Sequence, residues 1–185
     1  DDIAGRLGSL SLMVRYSGND VQEVEKLKSM FTAIDINAPD VSEQIKHLSE
    51  QIMKKNRDTA LVLSKYLEKQ IMLIGGYEVF EKNCLIETSR KSLASDNLEQ
   101  IFSQIETNEK WLNDISCLKE RMGGYKQKLE GTVCLEGINA NLFRDMDILS
   151  EAVKRKKLSE LSGEVRNIDA EFNHIFTEDA LSIVA

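Results

Sequence analysis

The sequence predicts an all-α fold, an elongated helical bundle or antiparallel coiled coil of four or five helices, some of them long. Three observations carry that expectation. A single proline stands in 185 residues, against a usual share of ~5%, so little interrupts helical runs. Apolar residues recur in steps of three and four through most of the chain, the period of helices that bury one face. The stretch 60–86 is apolar around most of its circumference, which suits a helix in the middle of several others.

At the N-terminus, residues 3–16 fit either an alternating strand or a helix through Ile3, Leu7, Leu10 and Val14. The helical context of the rest favours a helix over 3–16. Gly18 breaks the chain, and Asp20 with Glu23 has the spacing of a capped helix start. Val24, Leu27, Phe31 and Ile34 continue in helical step, and 35–40, with Asn37 and Pro39, reads as a loop.

One helix is then expected over 41–91, led by Val41, Ile45, Leu48 and Ile52. It would be roughly 75 Å long, so it is either a rod or kinked. Gly75-Gly76 is the kink site, because two interior glycines cost on the order of 2 kcal/mol against alanine. Within 60–86, Leu63, Leu67, Ile71, Ile74 and Leu85 form one band, Tyr66, Leu73, Tyr77, Phe80 and Cys84 a second, and Leu61, Met72, Val79 and Ile86 a third. Ser64 and Glu68 fall on a narrow polar strip.

Residues 92–97 read as a turn with Asp96 as N-cap of the next helix and Glu99 at its third position. That helix carries Leu98, Ile101, Phe102, Ile105, Leu112, Ile115 and Met122, with Trp111 beside the stripe. Met122-Gly123-Gly124-Tyr125 echoes Ile74-Gly75-Gly76-Tyr77, a match too short to define a repeat. Gly131 and Gly137 bracket a turn. A last helix starts near Ile138 with Leu142, Met146, Leu149 and Val153, and its stripe resumes as Leu161, Val165, Ile168, Phe172 and Ile175. The five-residue step from Val153 to Leu158 predicts a bend or a change of supercoil.

The net charge of −7 counts against a nucleic-acid partner, which calls for a basic face. Three cysteines without paired spacing read as reduced thiols in a cytoplasmic or nuclear, intracellular setting. The longest purely apolar run, 71–74, is too short to span a bilayer, and no signal peptide is visible. The start at Asp1 and the apolar end at Ala185 suggest one elongated domain, 1–185, cut from a longer protein, with 1–91 and 92–185 as candidate sub-bundles.

Phosphate-binding and nucleophile motifs are absent from the sequence. Glu171 and His174 have the Glu-x-x-His spacing of half a di-iron site, but His47 has Gln44 where a second motif needs a carboxylate. No catalytic, cofactor-binding or metal residue is assigned, and no cofactor is expected. The basic run Lys154-Arg155-Lys156-Lys157 spreads round a helix and reads as a solvated collar.

The expectation is therefore a non-catalytic protein–protein interaction or scaffold module, a helical-bundle adaptor within a larger intracellular protein. Its partner-binding residues are Leu161, Val165, Ile168, Phe172 and Ile175, whose spacing suits a coiled-coil seam with a protein partner or a second copy. The competing reading has this stripe closing the bundle internally. A membrane-surface or membrane-bending module is the first functional alternative, and a helical-bundle metalloenzyme the second.

Overall fold

A computed structural model of the chain describes residues 21–75, 80–130 and 138–182. Among them are six α-helices, one short 3-10 turn and no strand. The helices are α1 (Val21–Thr32), α2 (Val41–Leu73), α3 (Phe80–Ala94), α4 (Leu98–Glu130), α5 (Ile138–Ala152) and α6 (Ser162–Ser182), with the 3-10 turn at Leu158–Glu160. The all-α expectation holds. The helix expected over 3–16 and the turn expected between Gly131 and Gly137 lie outside the described residues.

The chain forms two compact units, one of residues 1–68 and 89–106, the other of 69–88 and 107–185. In the first, Met30, Phe31 and Ile34 pack on Val41, Ile45, Leu48 and Ile52 of α2. The loop between is held by Asp35, whose Oδ1 accepts from the Asn37 backbone N–H at 2.9 Å. Farther along, the buried face of α2 consists of Asn56, Ala60 and Ser64, and that of α3 of Ser89 and Ser92. Small side chains let helix axes come close.

The single helix expected over 41–91 is not formed. Arg90 of α3 is bonded to Glu68 of α2, although the two would stand about 33 Å apart on one continuous helix. The chain instead reverses after α2. Arg57 and Asp96 meet at 2.7 Å, consistent with α3 running back along α2. The α4 N-cap is Asn97, whose Oδ1 accepts from the Gln100 N–H at 3.1 Å, and not Asp96 as the spacing suggested. Asp96 has a left-handed φ of 57°, a conformation aspartate tolerates better than most residues and one that an N-cap does not use.

In the second unit the reversal begins at Ile74 and Gly75, which are not helical. Lys82 Nζ donates to the carbonyls of Met72 and Ile74 at 2.9 and 3.0 Å, and Lys119 Nζ donates to that of Gly75 at 2.7 Å. The core combines Ile71, Leu85, Ile115, Leu118, Met122 and Leu129 with Leu142 and Leu149 of α5, Val153 just after it, and the inner face of α6. Trp111 belongs to this core rather than lying beside it. Its indole N–H donates to Glu81 Oε2 at 3.0 Å, and the same oxygen accepts from the Leu158 backbone N–H at 2.8 Å. That bond lets the ring be buried without stranding its polar edge.

The last helix is also two helices. Its five-residue step marks an end, not a bend: α5 stops at Ala152, the 3-10 turn intervenes, and α6 packs back on α5. Lys154 pairs with Glu151 and Lys156 with Glu164 around this link. Between α4 and α6, Tyr125 donates to Asp169 Oδ1 at 2.6 Å and stacks on Phe172 with centroids 3.9 Å apart. Arg121 reaches the other Asp169 oxygen at 3.2 Å.

Two predictions follow from this packing. Gly123 and Gly124 lie inside α4, and a Cβ added to either meets nothing within 4 Å. Each alanine substitution should therefore stabilise by up to ~1 kcal/mol, read as a rise of about 2–4 °C in melting temperature. Burial first, then the Asp169 hydrogen bond and charge, push the Tyr125 phenol up to about 12 from 10.0. The raised value means its contribution is complete below pH 10 and is lost as pH rises to about 12. Over that window urea-measured stability should fall faster in the wild type than in Tyr125→Phe, and equal slopes would show the bond to be energetically idle.

Candidate partner-docking surfaces

The expected α6 seam is not a free surface. Leu161, Ile168, Phe172 and Ile175 are buried in the core of the second unit, and Val165 is half-buried against it. Because the chain turns before Leu158, α6 meets α5 and the stripe is spent on internal packing. The sequence-based assignment of these five residues to a partner is corrected accordingly.

The exposed apolar surface lies elsewhere, on the helix expected to be most enclosed. In the first unit, α2 leaves Leu61 42%, Val62 66% and Tyr66 57% exposed, while Ser64 is 4% and Asn56 1% exposed. At 100° per residue the three apolar side chains share one arc, roughly opposite the buried Asn56, Ala60 and Ser64. Lys65 stands within the arc and Lys54 lies two to three turns before it, both exposed. Neither lysine has an ion-pair partner among the described residues. Asp58, also exposed, is the acid on this face. Sequence reading missed the surface because it ranked α2 positions by hydrophobicity alone. In the second unit the same helix ends in exposed Met72 and Leu73.

The second unit also carries two concavities. One is a groove of about 330 Å³ between α4 and α5, with Met122, Met146 and Leu149 as its floor, Phe143 at its edge and Gly123 in its wall. Lys119 and Lys126 stand on the α4 side and Asp147 on the α5 side. The other, about 570 Å³, lies between α4 and the start of α6. Much of its charge is internally paired, Lys110 with Asp114 at 2.6 Å and Arg121 with Asp169 at 3.2 Å.

Among the described residues, the histidines and cysteines do not converge. His47 is bonded to Gln51 at 2.9 Å, and His174 is exposed on α6. Among the described residues no three His, Cys, Asp or Glu side chains come together as metal ligands. Cys84 and Cys117 are separate exposed thiols, and Cys134 lies outside the described residues. No helix among those described is long and apolar enough to cross a membrane. No known protein family, curated protein or solved structure matches the chain.

Inward and outward apolar positions should respond differently to charge. Val62→Glu with Tyr66→Glu should change stability by less than ~1 kcal/mol, whereas Ile168→Glu alone should cost several kcal/mol by burying a carboxylate. Thermal melts followed by circular dichroism distinguish them, and a double variant as damaged as Ile168→Glu would show the α2 face to be covered.

Proposed function

We propose that this chain is a non-catalytic protein-interaction or scaffold module, which engages a protein partner through the outward face of α2. The observation that carries the reading is the exposure of Leu61, Val62 and Tyr66 on one arc of a helix whose buried positions include Asn56 and Ser64. Single exposed apolar residues are ordinary, but grouped ones on a folded surface mark sites of contact. Tyrosine and large aliphatic side chains are suited to the centre of such contacts. The separate thiols of Cys84 and Cys117 fit an intracellular setting.

An anionic membrane surface is the alternative occupant, because Lys54 and Lys65 accompany these apolar groups. The net charge of −7 opposes it, since the whole molecule is repelled by an anionic surface while lysines act locally.

Affinity capture of wild type beside the double variant Val62→Glu/Tyr66→Glu tests the proposal, with Asn113→Glu as an exposed control. A discrete set of proteins should be retained by wild type and control and lost from the double variant. Equal recovery from all three would remove α2 as the docking face. Co-sedimentation with phosphatidylserine vesicles, lost in the double variant, would replace the protein partner by a membrane.

A further inference from the structure

The groove between α4 and α5 has features that the packing of its own unit does not require. Gly123 sits in the interior of a 33-residue helix, where glycine is destabilising. Yet among the described residues no atom beyond its chain neighbours and the nearby backbone of its own helix lies within 4 Å of where its Cβ would be. The missing side chain therefore relieves no internal clash; its effect is to open the groove wall. Behind that notch lie Met122 and Met146, unbranched thioether side chains that adapt their shape to what they touch. Phe143 is half-exposed at the edge. A volume of about 330 Å³ is at the bottom of the ~300–1,000 Å³ range of small-molecule sites, and suits an inserted side chain better than a cofactor.

The charges around the groove are asymmetric. Lys119 and Lys126 are seven residues apart on α4, so they stand on one side about 10 Å apart along its axis. Lys119 uses one N–H on the Gly75 carbonyl and keeps two more donors. Lys126 has no hydrogen-bond or ion-pair partner among the described residues. The facing wall carries Asp147. We propose that this groove docks an amphipathic helix of a protein partner, whose apolar anchor enters the Gly123 notch and whose carboxylates, two turns apart, meet Lys119 and Lys126. The inference rests on the reading of the chain as a protein-interaction module, but uses a surface separate from the α2 face. Helices commonly bind grooves in this manner, through apolar anchors at helical spacing.

The protein has six methionines, and their methyl resonances report each surface separately after ¹³C labelling, assigned by single Met→Leu substitutions. The probe is a synthetic 18-residue amphipathic peptide with leucine on one face and glutamate at two positions seven apart, beside a counterpart with lysine at those positions. The acidic peptide should shift Met122 and Met146 saturably, with affinity that weakens as salt is raised. Gly123→Leu, which fills the notch from open space, and Lys126→Glu should each weaken binding at least tenfold while keeping the helical circular-dichroism signal. Shifts confined to methionines outside the groove would overturn the groove and leave the interaction module standing. Equal binding of the lysine peptide would overturn the acidic partner. Silence with both peptides, or shifts produced only by phosphatidylserine vesicles, would overturn the proposal as a whole.

Discussion

Two lysine ammonium groups hold the point at which the chain turns. A helix leaves its last four carbonyls without intrahelical partners, and together they carry a partial negative charge. The last turn of α2 has no basic residue of its own to meet them. Lys82 reaches the carbonyls of Met72 and Ile74 from α3, and Lys119 reaches that of Gly75 from α4. A side chain beyond the turn and one from a later helix thus meet carbonyls at and just past the end of α2. What reads along the sequence as one helix becomes two, and residues 22 apart, Glu68 and Arg90, become neighbours.

The two glycine pairs show how much of this is local. Ile74-Gly75-Gly76-Tyr77 and Met122-Gly123-Gly124-Tyr125 are nearly the same four residues. Helix α2 stops before Gly75, while α4 passes through Gly123 and Gly124. Glycine weakens both helices alike, so the dipeptide supplies a permissive site and not a decision. At Gly75 the carbonyl accepts from Lys119, 44 residues away, a contact that no local pattern contains. The five-residue step before Leu158 is similar: the slip was legible, but the bond from Leu158 N to Glu81, 77 residues away, was not.

Readable features were those set by neighbours on the same helix. Val41, Ile45, Leu48 and Ile52 were identified as an inward stripe from their spacing, and they are buried. Helix α4 starts close to the expected place. Trp111 was misplaced because hydrophobic periodicity does not register a hydrogen bond to Glu81, the contact that permits its burial. Leu161, Val165, Ile168, Phe172 and Ile175 form a regular stripe, but spacing alone does not distinguish an intermolecular seam from the internal packing they make.

The inversion of α2 has a physical cause in its ends. Ile45, Leu48 and Ile52 fix the rotation of the helix at its beginning, and Leu67 turns inward on nearly the same side. Steps of four carry that side through Asn56, Ala60 and Ser64, so these must face in whatever their polarity. Turning the middle outward would expose Ile52 and Leu67, each worth about 1.5–3 kcal/mol when buried. The exposed pairs Arg90–Glu68 and Arg57–Asp96 are too weak, at ~1 kcal/mol or less, to set the rotation themselves. Leu61, Val62 and Tyr66 are consequently held in water by constraints at other positions of the same helix. The free energy of covering them is not recovered within the described residues of the first unit. A surface that covers these three side chains gains their burial without reorganising α2, and it is on this unspent apolar area, more than on the regularity of any stripe, that the proposed docking face rests.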